Sequence, residues 1–266
     1  MKTPTDSISK EAAPTTAWSR ADWLYAALLL LLCGGIMVAR WGKLESLVNA
    51  DPAYWLFQVS RMAGGELPYR DFSWNYPPSA IFLMGGFLKL FGVRFDVAQI
   101  AINFLSLAVV GLCYWLIRHI LPRSLHFVTI TLVVCIGATA QTKFNLFSFL
   151  AYSPSLHLGA IGLLLVMMGG LRYLRSGVFG RRHGLLIAAG VFIAAVSKPE
   201  ALVATLALLL VLAFADRQLW RNGRPLPAWM IRHGALAAAG ILPAAAIYAW
   251  VAGMVGGANL AAGVGG

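Results

Sequence analysis

Charged residues are scarce in this sequence, and acidic residues are the scarcest of them. Of the 266 residues only 12% are charged, 10 acidic against 21 basic, while 59% are hydrophobic and the mean hydropathy is +0.74. A soluble domain could not bury so much apolar surface. The composition therefore predicts an all-α, polytopic transmembrane helical bundle.

Sequence signals for metal, disulfide or nucleotide chemistry are also missing. Cys33, Cys113 and Cys135 lie inside apolar segments at no metal-ligand spacing, as small buried side chains do. Residues 256–266 are rich in glycine, but they lack the strand and helix of a dinucleotide-binding motif. The net charge of +11 does not indicate a nucleic-acid partner, because the basic residues form short tracts between apolar segments, where topology and membrane lipids account for them.

Eight apolar stretches follow a polar N-terminal tail. Residues 1–22 are rich in Thr, Ser, Ala and Pro and are expected to form a disordered cytoplasmic tail, followed by a transmembrane core over residues 23–266. The first stretch has no signal-peptide cleavage site, which indicates a retained span. The stretches cover residues 23–40, 77–92, 95–117, 125–140, 154–174, 184–197, 201–215 and 234–256.

The distribution of arginine and lysine indicates that seven of the eight stretches cross the membrane. With eight crossings, the arginine-rich segments 172–182 and 217–232 would lie outside, against the positive-inside rule. Residues 77–92 offer only about 15 apolar positions, fewer than the roughly 20 of a spanning helix, so we expect a re-entrant or interfacial segment there. Seven crossings then place 13 of the 21 basic residues inside and the loop 41–94 on the extracytoplasmic face.

The extracytoplasmic loop is expected to contain a helix that lies in the membrane interface. Asp51-Pro52 is a helix-start signal, and Gly64-Gly65 ends the segment. Helical spacing aligns Asp51, Tyr54, Gln58 and Arg61 in a polar stripe, which is expected to face a site or water. Residues 66–78 follow, too rich in aromatic residues, charges and prolines to span, and tyrosine and tryptophan at this depth form interfacial belts or stack on sugar rings.

Two segments of the chain resemble one family of membrane enzymes. "AGGELPYRDFSWNYPP" before an apolar stretch ending "LKLFG", and "AAVSKPEAL" at residues 194–202, are similar to GT-C glycosyltransferases, in particular the protein O-mannosyltransferase and aminoarabinose transferase group, which is glycosyltransferase family 39-like. The resemblance implies a polytopic inner-membrane enzyme with an extracytoplasmic active face. It also implies a polyprenyl-phosphate sugar as donor and a protein, lipid or glycan as acceptor.

The resemblance implies a catalytic aspartate in the first outer loop, which by position is Asp51. Inverting transfer needs a base for the acceptor proton and cations for the departing phosphate. We therefore predict Asp51 as the base; Arg61, Arg70 and Lys198 as phosphate ligands; and Tyr54, Tyr69, Trp74, Tyr76 and Glu200 as the sugar or lipid pocket. No metal-ligand set is predicted. Relatives often carry a second acid where Pro52 stands, so use of a divalent metal stays open.

Each assignment competes with a structural interpretation. Asp51 is also a suitable helix N-cap, and Arg61 a lipid-headgroup contact. Arg70 can simply pair with Asp71, and Lys198 with Glu200 in a tight turn.

Two other functions compete with the enzyme. The absence of the second acid that relatives often carry where Pro52 stands favours a non-catalytic GT-C-like scaffold. A transporter would carry ionisable groups inside its spans, whereas nearly every charge here is at the end of a span. The sequence stops soon after the last apolar stretch, and we expect it to be the N-terminal part of a longer protein.

Overall fold

The described part of the chain folds into α-helices. The computed structural model describes residues 18–39, 50–139, 154–176, 179–219 and 226–264, but not the side chains of residues 50–53, 123, 136–139, 216–219 and 226–230 within them. The helices are α1 (Arg20–Ala39), α2 (Ala50–Ala63), α3 (Pro78–Phe91), α4 (Phe95–Ile120), α5 (Arg123–Thr139), α6 (Pro154–Ser176), α7 (Arg181–Ser197), α8 (Pro199–Leu219), α9 (Leu226–Val255) and α10 (Gly257–Val264).

Several helices are long and apolar enough to cross a membrane, as a multi-pass membrane protein requires. Among the described residues there are four such segments: Arg20–Ala39, Phe95–Ile120, Pro154–Ser176 and Ile231–Val255. Helices α5 and α7 each have 17 residues, and the apolar part of α8 runs over Pro199–Ala215. Because these three are shorter than the roughly 20 residues of a typical span, the total of seven crossings stays a prediction.

Helix α3 is the shortest of the described helices that contain the apolar stretches. Its 14 residues start at Pro78, which suits the first turn of a helix, and end before Gly92. At a rise of about 1.5 Å per residue it extends about 21 Å, less than the roughly 30 Å hydrocarbon core. Its length agrees with a segment that enters the membrane without crossing it.

The start of α1 differs from the predicted boundary at residue 22. Ser19 and Asp22 form a capping box, in which the Ser19 N–H donates to Asp22 Oδ2 at 2.8 Å and the Asp22 N–H donates to Ser19 Oγ at 3.2 Å. The helix therefore begins at Arg20, and the predicted tail extends too far. Residues 1–17 of that tail lie outside the described part of the chain.

Helices α6 and α7 form the closest pair in the bundle. A methyl group at Gly190 would lie 2.5 Å from the Gly162 carbonyl oxygen, and one at Gly162 would lie 2.8 Å from the Ala194 nitrogen. Only glycine permits this backbone approach, as is common between membrane helices. Helix α9 lies along α7, since a methyl group at Gly240 would meet Val191 at 2.6 Å.

Several arginines lie together at one end of the bundle, where they form contacts between helix termini. Arg118 near the end of α4 pairs with Asp22 at the start of α1, 3.7 Å apart. Arg175 at the end of α6 donates to the carbonyl of His119 on α4. Arg232 on α9 donates to the Tyr173 hydroxyl on α6 at 2.9 Å. We call this the arginine-rich end; its grouping is the one that seven crossings predict.

The opposite end carries residues 66–77 and the junction of α7 and α8, and we call it the loop end. The Tyr248 hydroxyl on α9 donates to the Ala195 carbonyl near the end of α7, at 3.2 Å. A methyl group at Gly263 on α10 would lie 2.5 Å from Tyr69 Cδ1 and 2.7 Å from the Trp74 carbonyl oxygen. Residues 66–77 are therefore packed on the last described helices.

Candidate functional site

Helix α2 places the predicted base near its first turn. It begins at Ala50, one residue before Asp51, and it ends before Gly64, where Gly65 adopts a φ of +104°. The predicted end at Gly64-Gly65 is confirmed. The Asp51 side chain lies outside the described residues, so its role as base or cap stays a prediction.

The polar stripe of α2 is less open than expected. Trp55 and Val59 are 2% and 1% exposed, as apolar core residues should be, but Gln58 is also buried at 7%. No donor among the described residues bonds to its Oε1. Tyr54 and Arg61 are half-buried. Burial of Gln58 divides the stripe, so the part near Asp51 and the part near Arg61 do not form one continuous solvent-facing surface.

Arg61 closes the loop that follows α2. Its Nε donates to Glu66 Oε2 at 2.8 Å, and its Nη2 donates to the same oxygen and to the Asp71 carbonyl, the latter at 3.0 Å. Its guanidinium also lies 4.6 Å from the centroid of the Phe72 ring. The hydrogen bond to Glu66 raises the Arg61 pKa. Through these contacts Arg61 anchors the loop to the end of α2.

Asp71 holds the turn inside this loop. Its carboxylate accepts hydrogen bonds from Arg70 Nε at 2.8 Å and Nη2 at 2.9 Å, and from the Leu67 N–H at 2.8 Å. The Arg70 bond and then the Leu67 bond lower the Asp71 pKa to about 2. Tyr69 takes a φ of +68°, which lets its N–H bond to the Phe72 carbonyl at 2.9 Å. The structure thus contains the Arg70–Asp71 pair that the sequence offered as the structural interpretation of Arg70.

The four predicted pocket aromatics come together at the loop end. The rings of Tyr54 and Trp74 are nearly parallel at 6.4 Å, and Tyr76 meets Trp74 edge-on at 5.3 Å. The Tyr69 hydroxyl donates to the Tyr76 carbonyl at 2.6 Å. Trp74 and Tyr69 are only 2% and 7% exposed, and burial raises the Tyr69 pKa. They form a core, while Tyr54 and Tyr76 keep partly accessible faces.

Lys198 and Glu200 form the predicted turn between two helices. Helix α7 ends at Ser197 and α8 starts at Pro199, so Lys198 lies between them. Its Nζ is 3.7 Å from Glu200 Oε1; the side chains are 28% and 74% exposed. In the described part of the chain, this pair shares no carboxylate with the Arg61–Glu66 and Arg70–Asp71 pairs.

The spacing along α2 separates two of the predicted site residues. Asp51 and Arg61 are ten residues apart in a continuous helix, about 15 Å along its axis. A sugar carbon and the phosphate bonded to it are only a few bond lengths apart. Arg61 lies at the loop anchor, and its role as a phosphate ligand for a reaction at Asp51 stays a prediction.

An apolar groove lies beside α2 on the side of α3 and α4. It has a volume of about 380 Å³ and is lined by Leu56, Phe57, Ser60, Leu88, Val93, Arg94 and Phe95. Leu56 is five residues after Asp51, about 8 Å along the helix. The groove thus follows α2 from Leu56 to Ser60, the residue before Arg61.

The described residues show no cluster of three or more His, Cys, Asp or Glu that could hold a metal ion. Asp51 and residues 140–153 lie outside that search, so the use of a divalent metal at Asp51 stays open.

Sequence reasoning missed several residues that organise the loop end. Glu66 follows the Gly-Gly pair, and no local sequence signal identified it as the partner of Arg61. Tyr248 lies on α9, far along the chain from the segments it contacts. His157 is fully buried with its Nε2 3.0 Å from Ser106 Oγ, which agrees with a structural role for this histidine.

Comparisons with protein-family models, with curated proteins and with solved structures found no match.

Proposed function

We propose that the protein is a membrane glycosyltransferase that moves a sugar from a polyprenyl-phosphate carrier to an extracytoplasmic acceptor, with Asp51 as base. The observation that carries the proposal is the folded loop end. There, a polar and aromatic loop, the Lys198 turn and an apolar groove beside α2 share one end of a bundle whose other end is rich in arginine.

The groove and the aromatic side chains at the loop end suit a donor with a polar head and a long apolar chain. The groove offers Leu56, Leu88, Val93 and Phe95 to an isoprenoid chain. The half-buried faces of Tyr54 and Tyr76 lie on the same side of α2 as the loop and are suited to a sugar ring. A lipid-linked donor uses both surfaces, whereas a soluble donor would leave the groove empty.

The proposed reaction is a single inverting displacement at the anomeric carbon. The Asp51 carboxylate takes the proton of the acceptor hydroxyl as its oxygen bonds to that carbon. The bond between the carbon and the phosphate oxygen breaks, and polyprenyl phosphate leaves with the electron pair. Lys198 and Arg70 are the proposed cations for the phosphate, which would replace the carboxylates that pair with them now.

Replacing the base tests this function directly. Membranes that contain Asp51→Asn are expected to lose transfer from a radiolabelled polyprenyl-phosphate sugar, by a factor of about 100 or more for loss of a general base. Asp6→Asn is the control, because it also turns a carboxylate into an amide, but in the predicted cytoplasmic tail and away from the proposed site. Equal transfer by wild type and Asp51→Asn would remove the proposed base.

A non-catalytic scaffold is the second candidate, and a specific observation favours it. Each cation predicted from the sequence to bind the donor phosphate is already paired with a carboxylate of this chain: Arg61 with Glu66, Arg70 with Asp71 and Lys198 with Glu200. A site that lost its substrate would keep such pairs for stability. Absence of transfer by the wild-type protein, with all of a panel of polyprenyl-phosphate sugars, would favour the scaffold.

A further inference from the structure

Side chains from α4 and α6 form a compact basic cluster at the arginine-rich end. The Arg175 guanidinium donates to the His119 carbonyl, and the Arg172 guanidinium lies 4.4 Å from the centroid of the Trp115 ring. The His119 ring stacks on the same tryptophan at 3.8 Å. We call Trp115, Arg118, His119, Arg172 and Arg175 the arginine–tryptophan cluster.

Positive charge in this cluster exceeds the negative charge beside it. Arg118, Arg172 and Arg175 all interact electrostatically with His119. Asp22 is the described carboxylate at this position; it pairs with Arg118 and is 1% exposed. Over the described ranges, no ion pair is formed by Arg172 or Arg175. Neither of these two guanidiniums thus has a partner among the described carboxylates.

Membrane topology alone does not account for this arrangement. The positive-inside rule is satisfied by basic residues anywhere in a cytoplasmic connection, and it does not require them to converge. The ends of α4 and α6 contribute only about half a negative charge each. Cation–π contact and the carbonyl bond hold Arg172 and Arg175 in place, and the Arg175 side chain is exposed. Preorganised guanidiniums bind phosphate oxygens bidentately.

Apolar surface next to the cluster indicates the source of the phosphate. Ile120 is 55% exposed at the end of α4, and Leu125 is 46% exposed on the following helix. Tryptophan and arginine at the end of an apolar helix lie at the depth of lipid headgroups. A soluble phosphate compound would use the guanidiniums alone, whereas a phospholipid would also cover these two side chains.

We propose that the arginine–tryptophan cluster is a binding site for the phosphate of an anionic phospholipid, with Arg172 and Arg175 as its ligands and Trp115 as its wall. The site is independent of the proposed transferase activity, because it lies at the other end of the bundle. Its ligand stabilises the joined ends of α4 and α6.

Thermal unfolding in neutral detergent tests the site. Short-chain phosphatidylglycerol is expected to raise the unfolding temperature of the wild type with a saturable dose response, and phosphatidylcholine is not. Arg172→Gln/Arg175→Gln should require about 30-fold more phosphatidylglycerol for half the effect. Arg181→Gln/Arg182→Gln removes the same charge from the first turn of α7 and should change that concentration less than about threefold.

Three further arms make the outcome decisive. Glycerol phosphate distinguishes the sources, since an equal shift at equal concentration would show a site for free phosphate and overturn the lipid assignment. Arg172→Lys/Arg175→Lys keeps the charge and loses the bidentate geometry, so the phosphatidylglycerol concentration for half the effect should lie between those of the wild type and the glutamine variant.

The single variant Arg175→Gln replaces the glutamine pair if that pair does not give monodisperse protein. Equal losses in the cluster variant and in the α7 control would reduce the effect to diffuse charge and overturn the proposal.

Discussion

The two ends of the bundle neutralise their positive charges in different ways. At the loop end, Arg61, Arg70, Arg94 and Lys198 each lie beside a carboxylate within five residues of the chain. At the arginine-rich end, Arg172 contacts an aromatic ring and Arg175 a carbonyl, and Asp22 is the carboxylate described there. Among the described residues, the cations of the loop end are balanced by local ion pairs, whereas Arg172 and Arg175 at the other end are held by neutral groups.

This difference separates two uses of arginine. Local ion pairs at the loop end fix a loop of about ten residues, and a substrate phosphate would have to compete with carboxylates already in place. Arginines held by neutral groups keep their charge available to an anion at little cost. The loop end is thus organised for shape, and the arginine-rich end is organised for electrostatic attraction.

The largest expected effect concerns the sides of the membrane on which the two ends lie. In a background without native cysteines, Ser73→Cys at the loop end and Ser176→Cys at the arginine-rich end place thiols on exposed positions. An impermeant maleimide added to whole cells should label Ser73→Cys and not Ser176→Cys, with the reverse in inverted vesicles, because arginine favours the cytoplasmic face. Labelling of both positions from one side would show that the ends are not separated by the membrane.

A smaller effect, on the stability of the whole bundle, should follow from adding a methyl group at the contact between α6 and α7. Gly190→Ala places a methyl group 2.5 Å from the Gly162 carbonyl oxygen and 2.7 Å from Val166 Cγ2. We expect destabilisation of about 2–3 kcal/mol, measured as a lower thermal midpoint of the detergent-solubilised protein. The control Gly253→Ala has no neighbour within 4 Å of the added atom and should stay within about 0.5 kcal/mol of wild type. Equal stability of both variants would contradict the close backbone approach, which supports both ends.

The smallest expected effect is confined to the loop end and depends on pH. The folded pKa of Asp71 is about 2, below its ordinary 3.8, so its contribution is present above pH 4 and is lost as the pH falls towards 2. Hydrogen exchange, corrected for intrinsic rates, should show the Leu67 amide losing protection over that range. Asp71→Asn should show low protection throughout, and the arginine-rich end should be unaffected. A pH-independent Leu67 amide in the wild type would refute the role of the carboxylate.

Local signals predicted the local parts of the loop end. Asp51-Pro52 and Gly64-Gly65 indicated α2 to within a residue or two, and Lys198-Pro199 marked the break between α7 and α8. A proline start and a short apolar run identified α3. These features depend on neighbours in the sequence, where turn and cap chemistry acts.

Longer-range features could not be predicted from such signals. The burial of Trp74 depends on side chains from α9 and α10, and no local pattern connects them. Arg61 has two acids nearby in sequence, and only the fold shows that it bonds to Glu66 and to the backbone of Asp71. By contrast, the Ser19–Asp22 capping box had the readable spacing of a helix start, yet the polar composition around it favoured a tail.

The contact between Gly263 and Tyr69 has a consequence for biosynthesis. These residues are nearly two hundred positions apart, so the loop leaves the ribosome long before its packing partner on α10 exists. Until then Tyr69 and Trp74 lack the surface that buries them, and loop closure of this length is slow compared with helix formation. The loop end therefore matures only after the helices between it and α10 have been inserted.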